Sequence, residues 1–301
     1  MNEATQLTVG FIGLGNMGRP MATNLARACA GWGAQSALRV QDKAGTAERA
    51  PEHAVVCETI AELVAQVDAV SMCLPDGRAG EDVAQTILAA PDSRVRTVAD
   101  HSTVGIAAAQ SLHARFAEGG IEYVDAPVSG GTAGAAKATI SLMYAGSAAT
   151  LERLRPAFAA MAKNVFHVGD RPGQGQTMKL LNNFLSGVAM AATSEAVAFG
   201  IGRGLSMGTV LSVLNVSSGQ NTASSDKFPN RILTDTYDAG FTSTLLKKDL
   251  ELYEQALAAD DAANPVSVTV IDLWRQLEAA EGTVDFTRIY PFVRDKRYRA
   301  A

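Results

Sequence analysis

The chain has 301 residues, with 26 Lys+Arg against 31 Asp+Glu and a formal net charge of −5. A hydrophobic share of 47% excludes a disordered chain, which lacks apolar surface to bury, and the acidic balance argues against binding nucleic acid through a basic face. The length exceeds the roughly 250–300 residues at which one core stops growing, so two domains are expected.

Met1 to Gln6 carry an acid and no apolar core, unlike a secretory signal. From residue 7 to about residue 168, short β-type runs alternate with helical stretches. The runs are 7–12, 37–41, 69–74, 96–99, 122–124, 142–145 and 165–168. Several are continuous apolar segments, as strands are when helices cover both faces of their sheet. Helical stretches such as 17–28 and 80–88 complete a βαβ succession, which predicts right-handed crossovers and an open parallel sheet. Gly169 to Gly175 form a breaker-rich joint,. A long helical pattern then runs from about 176 to 202, with Leu180, Leu181, Phe184, Leu185, Val188 and Met190 spread most of the way round it. Such a helix is buried inside a larger body or between subunits. Further helices are expected at 209–214, 243–259 and 265–279.

The predicted organisation is an α/β domain over 1–168 and an all-helical domain over 169–301, joined by the long helix. Cys29, Cys57 and Cys73 show no CxxC spacing. This implies a reducing, cytoplasmic compartment with no disulfide framework and no metal site. No run approaches the ~18 uninterrupted apolar residues of a membrane span, so no membrane association is expected.

The run 7–12 leads directly into Gly13-Leu14-Gly15-Asn16-Met17-Gly18 and then a helix. This is G-x-G-x-x-G in a strand–turn–helix setting. Gly13 permits the turn, Gly15 lets backbone approach a pyrophosphate, and Gly18 lets helix and strand pack closely. The helix N-terminus offers N–H groups to the anion. A Rossmann-type dinucleotide domain follows; the alternatives are a turn serving packing alone and a methyl-donor site. Asp42 ends the second run, 24 residues past Gly18 (42 − 18). An acid there accepts hydrogen bonds from ribose hydroxyls and repels a 2′-phosphate, which favours NAD. Lys43 beside it leaves NADP open, and the alternative for Asp42 is a solvated turn.

Three further strand ends carry polar or turn residues: Leu74-Pro75, Asp100-His101-Ser102-Thr103, and Asp125 through Ser129-Gly130-Gly131. Ligands of open α/β sheets collect outside the carboxyl ends of strands, so all three are expected to face one crevice. Ser129-Gly130-Gly131 offers a hydroxyl and glycine N–H groups, an anion nest or a plain turn. On the joining helix, Gly173-x-Gly175-x-x-x-Lys179-x-x-x-Asn183 sets Lys179 and Asn183 four apart on one face,. Buried among apolar neighbours they need partners; exposed, they are a solvated stripe. A lysine near the crevice suits proton transfer during hydride movement, because desolvation lowers its pKa toward working pH.

In combination these motifs, with Lys247-Lys248-Asp249-Leu250, resemble the β-hydroxyacid dehydrogenase family over nearly the whole chain. The resemblance implies a Rossmann-type domain followed by a helical domain, assembled as dimers or tetramers, acting on a small carboxylate. It implies that Lys179 is the general acid/base and that Ser129, Gly130 and Gly131 hold the substrate carboxylate. Asn183 would fix substrate and lysine. Thr103 and Leu74-Pro75 would line the cofactor site, and Lys248 would reach toward the nicotinamide end. Where NADP-preferring members often carry Asn-Arg-Thr, this chain has Asp42-Lys43-Ala44, which supports NAD. Imine-reducing relatives usually lack the lysine found here at 179. The polar stretch from Asn215 to Thr222 is expected at the substrate pocket. The rival readings are a non-catalytic dinucleotide-binding scaffold or sensor, and an imine or ketone reductase of the same fold.

Overall fold

The computed structural model describes residues 7–33, 36–259 and 264–299; the acidic start at 1–6 lies outside them. The chain divides into two compact units, Met1–Lys179 and Leu180–Ala301.

The first unit runs β1 (Val9–Ile12), α1 (Gly18–Ala30), β2 (Arg39–Gln41), β3 (Val55–Val56), α2 (Ile60–Val64), β4 (Ala69–Met72), α3 (Gly77–Ala89), β5 (Thr97–Asp100), α4 (Ile106–Glu118), β6 (Glu122–Asp125), β7 (Val128–Ser129), α5 (Gly131–Ala136), β8 (Ile140–Ala145), α6 (Ala148–Met161) and β9 (Ala162–Gly169). The strand order is β3-β2-β1-β4-β5-β6-β8-β7, with β9 on β8. From β3 to β6 every pairing is parallel. The expected wholly parallel sheet ends there, because β8 is antiparallel to both β6 and β7. The link between β6 and β8 is spent on β7 and the short α5, not on a helix long enough to carry the chain back across the sheet.

Successive residues of β1 feed opposite cores. Phe11 packs with Met21, Leu25 and Phe158 on one face, and Ile12 with Leu63, Met72 and Phe116 on the other. That double coverage makes β1, β4 and β5 buried at every position,. Helix starts follow local chemistry: the Asp76 carboxylate accepts from the Ala79 N–H at 2.9 Å ahead of α3, and Ser147 Oγ accepts from the Thr150 N–H at 3.2 Å ahead of α6,.

Helix α7 (Gln174–Gly202) crosses the unit boundary. The second unit continues with α8 (Met207–Leu214), a π-helical segment (Ala223–Ile232), α9 (Ser243–Ala259), α10 (Pro265–Glu281), a 3-10 turn (Phe286–Arg288) and α11 (Ile289–Arg294). Its core holds Met190, Val197, Phe228, Leu250, Trp274 and Phe286, and the Trp274 indole N–H donates to the Gly187 carbonyl at 3.3 Å. By length and composition α7 could cross a membrane; Met190 and Val197 mark it as a core helix of this unit. The sequence pattern puts the domain boundary at 168/169, whereas the units part at 179/180. The reason is local: the first turns of α7 are hydrogen-bonded to the ends of β5 and β6.

Candidate active site

The glycine turn between β1 and α1 is shaped by what cannot fit there. A Cβ on Gly18 would stand 1.9 Å from the Gly13 carbonyl oxygen, and one on Gly13 would stand 2.3 Å from the Cys73 carbonyl oxygen. Both sites are closed to any side chain. A Cβ on Gly15 would meet nothing within 4 Å. Packing therefore accounts for Gly13 and Gly18 but not for Gly15, whose open space suits a pyrophosphate approaching the backbone. Leu14 is buried, while Asn16 is exposed and Met17 half-buried. The turn is tied to the end of β2: the Gly13 N–H donates to the Gln41 carbonyl at 3.0 Å, and the Leu14 N–H donates to Asp42 Oδ2 at 2.5 Å. Asp42 Oδ1 accepts from the Ala44 N–H at 2.7 Å. Each carboxylate oxygen has a second lone pair, so Asp42 can brace the turn and still accept from a ribose.

The loop after β5 behaves differently from its expected role. Asp100, His101 and Ser102 are buried, and only Thr103 is partly exposed. Asp100 accepts from the Ser102 N–H and the Tyr123 hydroxyl, both at 2.9 Å. Burial pushes its carboxyl up to about 6. His101 contacts the Ala126 carbonyl at 3.0 Å and Ser71 Oγ at 3.2 Å, and burial pulls its imidazole down to about 4. These residues build the floor of the strand ends. Ser102 Oγ accepts from the Leu74 N–H at 2.8 Å, holding the Leu74-Pro75 corner, where Leu74 is half-buried and Pro75 exposed.

Asp125 closes β6 and meets the start of α7. Its Oδ1 accepts from the Gly173 N–H and its Oδ2 from the Gln176 N–H, each at 2.9 Å. Burial raises this carboxyl, while the N–H groups of Gly173, Gln176 and Gly175 pull against that rise. A Cβ on Gly175 would stand 2.7 Å from Asp125 Oδ2 and 2.6 Å from the Met143 carbonyl oxygen. The second glycine of the Gly173-x-Gly175 pattern is thus the room that Asp125 occupies. Gln176 is fully buried. Its Oε1 accepts from the Val104 and Gly105 N–H groups at 3.0 and 3.2 Å, and its Nε2 donates to the Ser102 carbonyl at 3.0 Å. Lys179, one turn on, is 8% exposed. Ser129 ends β7 half-buried; Gly130 is exposed and Gly131, which opens α5, half-buried, and a Cβ on Gly131 would meet nothing within 4 Å.

In the second unit Asn183, 5% exposed, donates through Nδ2 to Asp249 Oδ2 at 2.6 Å. Lys248 Nζ lies 3.2 Å from Asp249 Oδ1. One buried carboxylate therefore fixes both an amide and an ammonium. The motif Lys247-Lys248-Asp249-Leu250 marks Asp249 in the sequence without disclosing this role, and nothing in the sequence pattern singles out Gln176. In the stretch from Asn215 to Thr222, Asn221 spends its side chain on the turn: Oδ1 accepts from the Ala223 and Ser224 N–H groups at 2.8 and 3.1 Å, and Nδ2 donates to Thr193 Oγ1 at 3.0 Å. The basic C-terminal residues are also engaged locally, Arg297 with Glu281 and Arg294 with Asp295. Among the described residues no cluster of three or more His, Cys, Asp or Glu side chains could hold a metal ion.

Residues 8–169 match the family described as the NAD binding domain of 6-phosphogluconate dehydrogenase, and residues 173–293 match that described as NAD-binding of NADP-dependent 3-hydroxyisobutyrate dehydrogenase. The chain is 34% identical over 308 residues to 3-hydroxyisobutyrate dehydrogenase of Pseudomonas aeruginosa, covering 96% of this chain and 99% of the relative. The chain belongs to the β-hydroxyacid dehydrogenase family. As a β-hydroxyacid dehydrogenase it is a nicotinamide-dependent oxidoreductase. A second relative, the NAD-dependent L-serine dehydrogenase of the same organism, is 36% identical over 282 residues, covering 89% of this chain and 91% of the relative. The solved structure of Mycobacterium tuberculosis 3-hydroxyisobutyrate dehydrogenase with L-serine superposes with a TM-score of 0.87 at 33% identity, covering 96% of this chain and 100% of that one. Imine reductases match at 16–20% identity and share the fold alone.

Two outcomes test this geometry. The folded Asp100 carboxyl titrates near 6, above the 3.8 of an ordinary aspartate, so the folded state binds the proton more tightly than the unfolded state. Its contribution is greatest below about 4 and is lost as pH rises toward 6. Asp100→Asn lacks that loss, so its melting temperature relative to the parent is expected to climb between about pH 4 and 6; a pH-independent difference would contradict the shift. Gly175→Ala forces backbone and carboxylate apart, and overpacking of this kind costs about 1–3 kcal/mol. Calorimetry should show a lower melting temperature, whereas an unchanged one would mean the close approach is absent.

Proposed function

We propose that the chain oxidises a small β-hydroxy acid, or reduces the matching semialdehyde, with NAD as the preferred dinucleotide and Lys179 as general acid/base. The observation that carries this reading is that Lys179 is a buried lysine on the turn of α7 that belongs to the dinucleotide-binding unit, one turn beyond the Asp125-held helix start. When bound, the dinucleotide supplies the hydride acceptor or donor. The chain's own residues do the rest. Gly15 and its neighbours offer backbone N–H groups to the pyrophosphate, and Asp42, Leu74, Pro75, Thr103 and Lys248 frame the cofactor. Ser129, Gly130 and Gly131 hold the substrate carboxylate, and Asn183 orients the substrate. Lys179 Nζ takes the hydroxyl proton in oxidation and returns it in reduction.

The substrate class rests on what the named relatives have in common. L-serine and 3-hydroxyisobutyrate both carry a hydroxyl on the carbon β to a carboxylate, so a carboxylate anchor and a nearby base serve both. Asp42 supports NAD over NADP, since its carboxylate at the end of β2 would face a 2′-phosphate. Homo-oligomerisation and a cytoplasmic setting belong to the same reading. Leu185 and Phe199 on α7 are exposed apolar side chains that a second copy would cover, and the three cysteines are free thiols. A mere dinucleotide-binding scaffold would need neither a buried Lys179 nor the Asn183–Asp249 pair.

Steady-state assays on a panel of β-hydroxy acids, L-serine and 3-hydroxyisobutyrate included, test the reading. Lys179→Ala should lose about 10²-fold or more in kcat while still binding reduced dinucleotide by fluorescence; near-normal turnover would overturn the lysine's role. The parent should show a higher kcat/KM with NAD than with NADP, and Asp42→Ala should narrow that ratio. Equal use of the two by the parent would defeat the NAD preference.

A further inference from the structure

We propose that Gln176 and Asp125 are positioning residues that lock the lysine turn of α7 to the dinucleotide-binding strand ends, so that Lys179 is registered against the cofactor loops by two buried side chains outside the reaction itself. The inference rests on the proton-transfer role of Lys179 and adds what holds that lysine in place.

Three observations converge. First, the Asp125 carboxylate accepts from the Gly173 and Gln176 N–H groups. It thereby satisfies orphan donors at the helix start and sets a negative charge at the positive end of the helix dipole. Second, the Gln176 side chain spans from α7 to the loop after β5. It accepts from Val104 and Gly105 and donates to Ser102, so three of its four hydrogen-bonding positions are used. Third, that loop is already coupled to the neighbouring strand end, because Ser102 Oγ accepts from the Leu74 N–H. Thr103 lies between Ser102 and Val104, two of the three residues that Gln176 grips. One side chain thus ties the Thr103 loop and, through Ser102, the Leu74-Pro75 corner to the helix that carries Lys179 three residues on. Three apart on a helix is one turn, too short a lever for Lys179 to move independently of Gln176.

The arrangement explains features that binding alone leaves unexplained. A glutamine with no exposed surface costs free energy unless its polar atoms are paired, and here each partner is a backbone group of a cofactor loop. Gly175 between the two anchors has no side chain because Asp125 fills that space. Misplacing a reacting group by about 1 Å can cost about 10²-fold in rate, so a loosened turn would be felt in turnover before binding.

Gln176→Met keeps the side-chain volume and removes every polar atom. Expected is a fall in kcat of about tenfold or more, with KM for the hydroxy acid and Kd for reduced dinucleotide changed by less than about threefold. In a Lys179→Ala background the same substitution should cost nothing further, because residues acting as a unit are not additive. Asp125→Asn, which keeps the shape and one acceptor, should give the same pattern and carries the test if Gln176→Met fails to fold. A kcat within about twofold of the parent, or a loss of equal size with and without Lys179, would overturn the proposal. Full turnover by Lys179→Ala would be a different result, removing the lysine's role itself.

Discussion

A buried carboxylate at the start of a helix is the constraint on which much of this protein rests. Asp125 is enclosed at the end of β6, and an anion so placed is untenable without donors around it. The chain supplies them from the first turn of α7, through Gly173 and Gln176. Once that contact is required, several sequence features follow. Residue 175 must lack a side chain, the joint after β9 must bend to present its N–H groups, and the first turns of α7 must belong to the α/β unit.

Asp100 and Asp125, the two buried acids among the described residues of this unit, serve different ends. Asp100 sits at the end of β5 and bonds to Ser102 and Tyr123, bracing its own loop against the neighbouring strand. Asp125 reaches beyond the sheet to a helix. Between them Gln176 joins the two arrangements, so the ends of β4, β5 and β6 and the lysine turn form one hydrogen-bonded body. Asp249 repeats the device in the helical unit, where one carboxylate holds Asn183 and Lys248. In both units the residues proposed to touch ligand are neighbours of a buried acid that is not.

Much of this was legible in the sequence because it depends on local pattern. Continuous apolar runs disclose strands covered on both faces, and the glycine spacing after β1 discloses the turn, since its steric demands act within a few residues. Less legible was whatever depends on distant pairing. The reversal at β8 follows from how the chain spends the residues after β6, and β3 and β7 are too short to show any period. The polar residues 100–102 look like ligand groups at a strand end, yet they turn inward because their partners, Tyr123, Ala126 and Leu74, come from other segments. Gln176 looked like any helix glutamine; only the fold brings Val104 and Gly105 to it. Spacing and family resemblance together single out Lys179 and Asn183 as candidates, while the carboxylate that fixes Asn183 lies 66 positions further on.

Amide hydrogen exchange over residues 173–179 tests the central claim most directly. If the Asp125 carboxylate holds the lysine turn, the Gly173 and Gln176 amides should be protected to the same degree as the amides of β6. Exchange as fast as that of an exposed helix end would contradict the account, since it would leave the lysine turn unanchored.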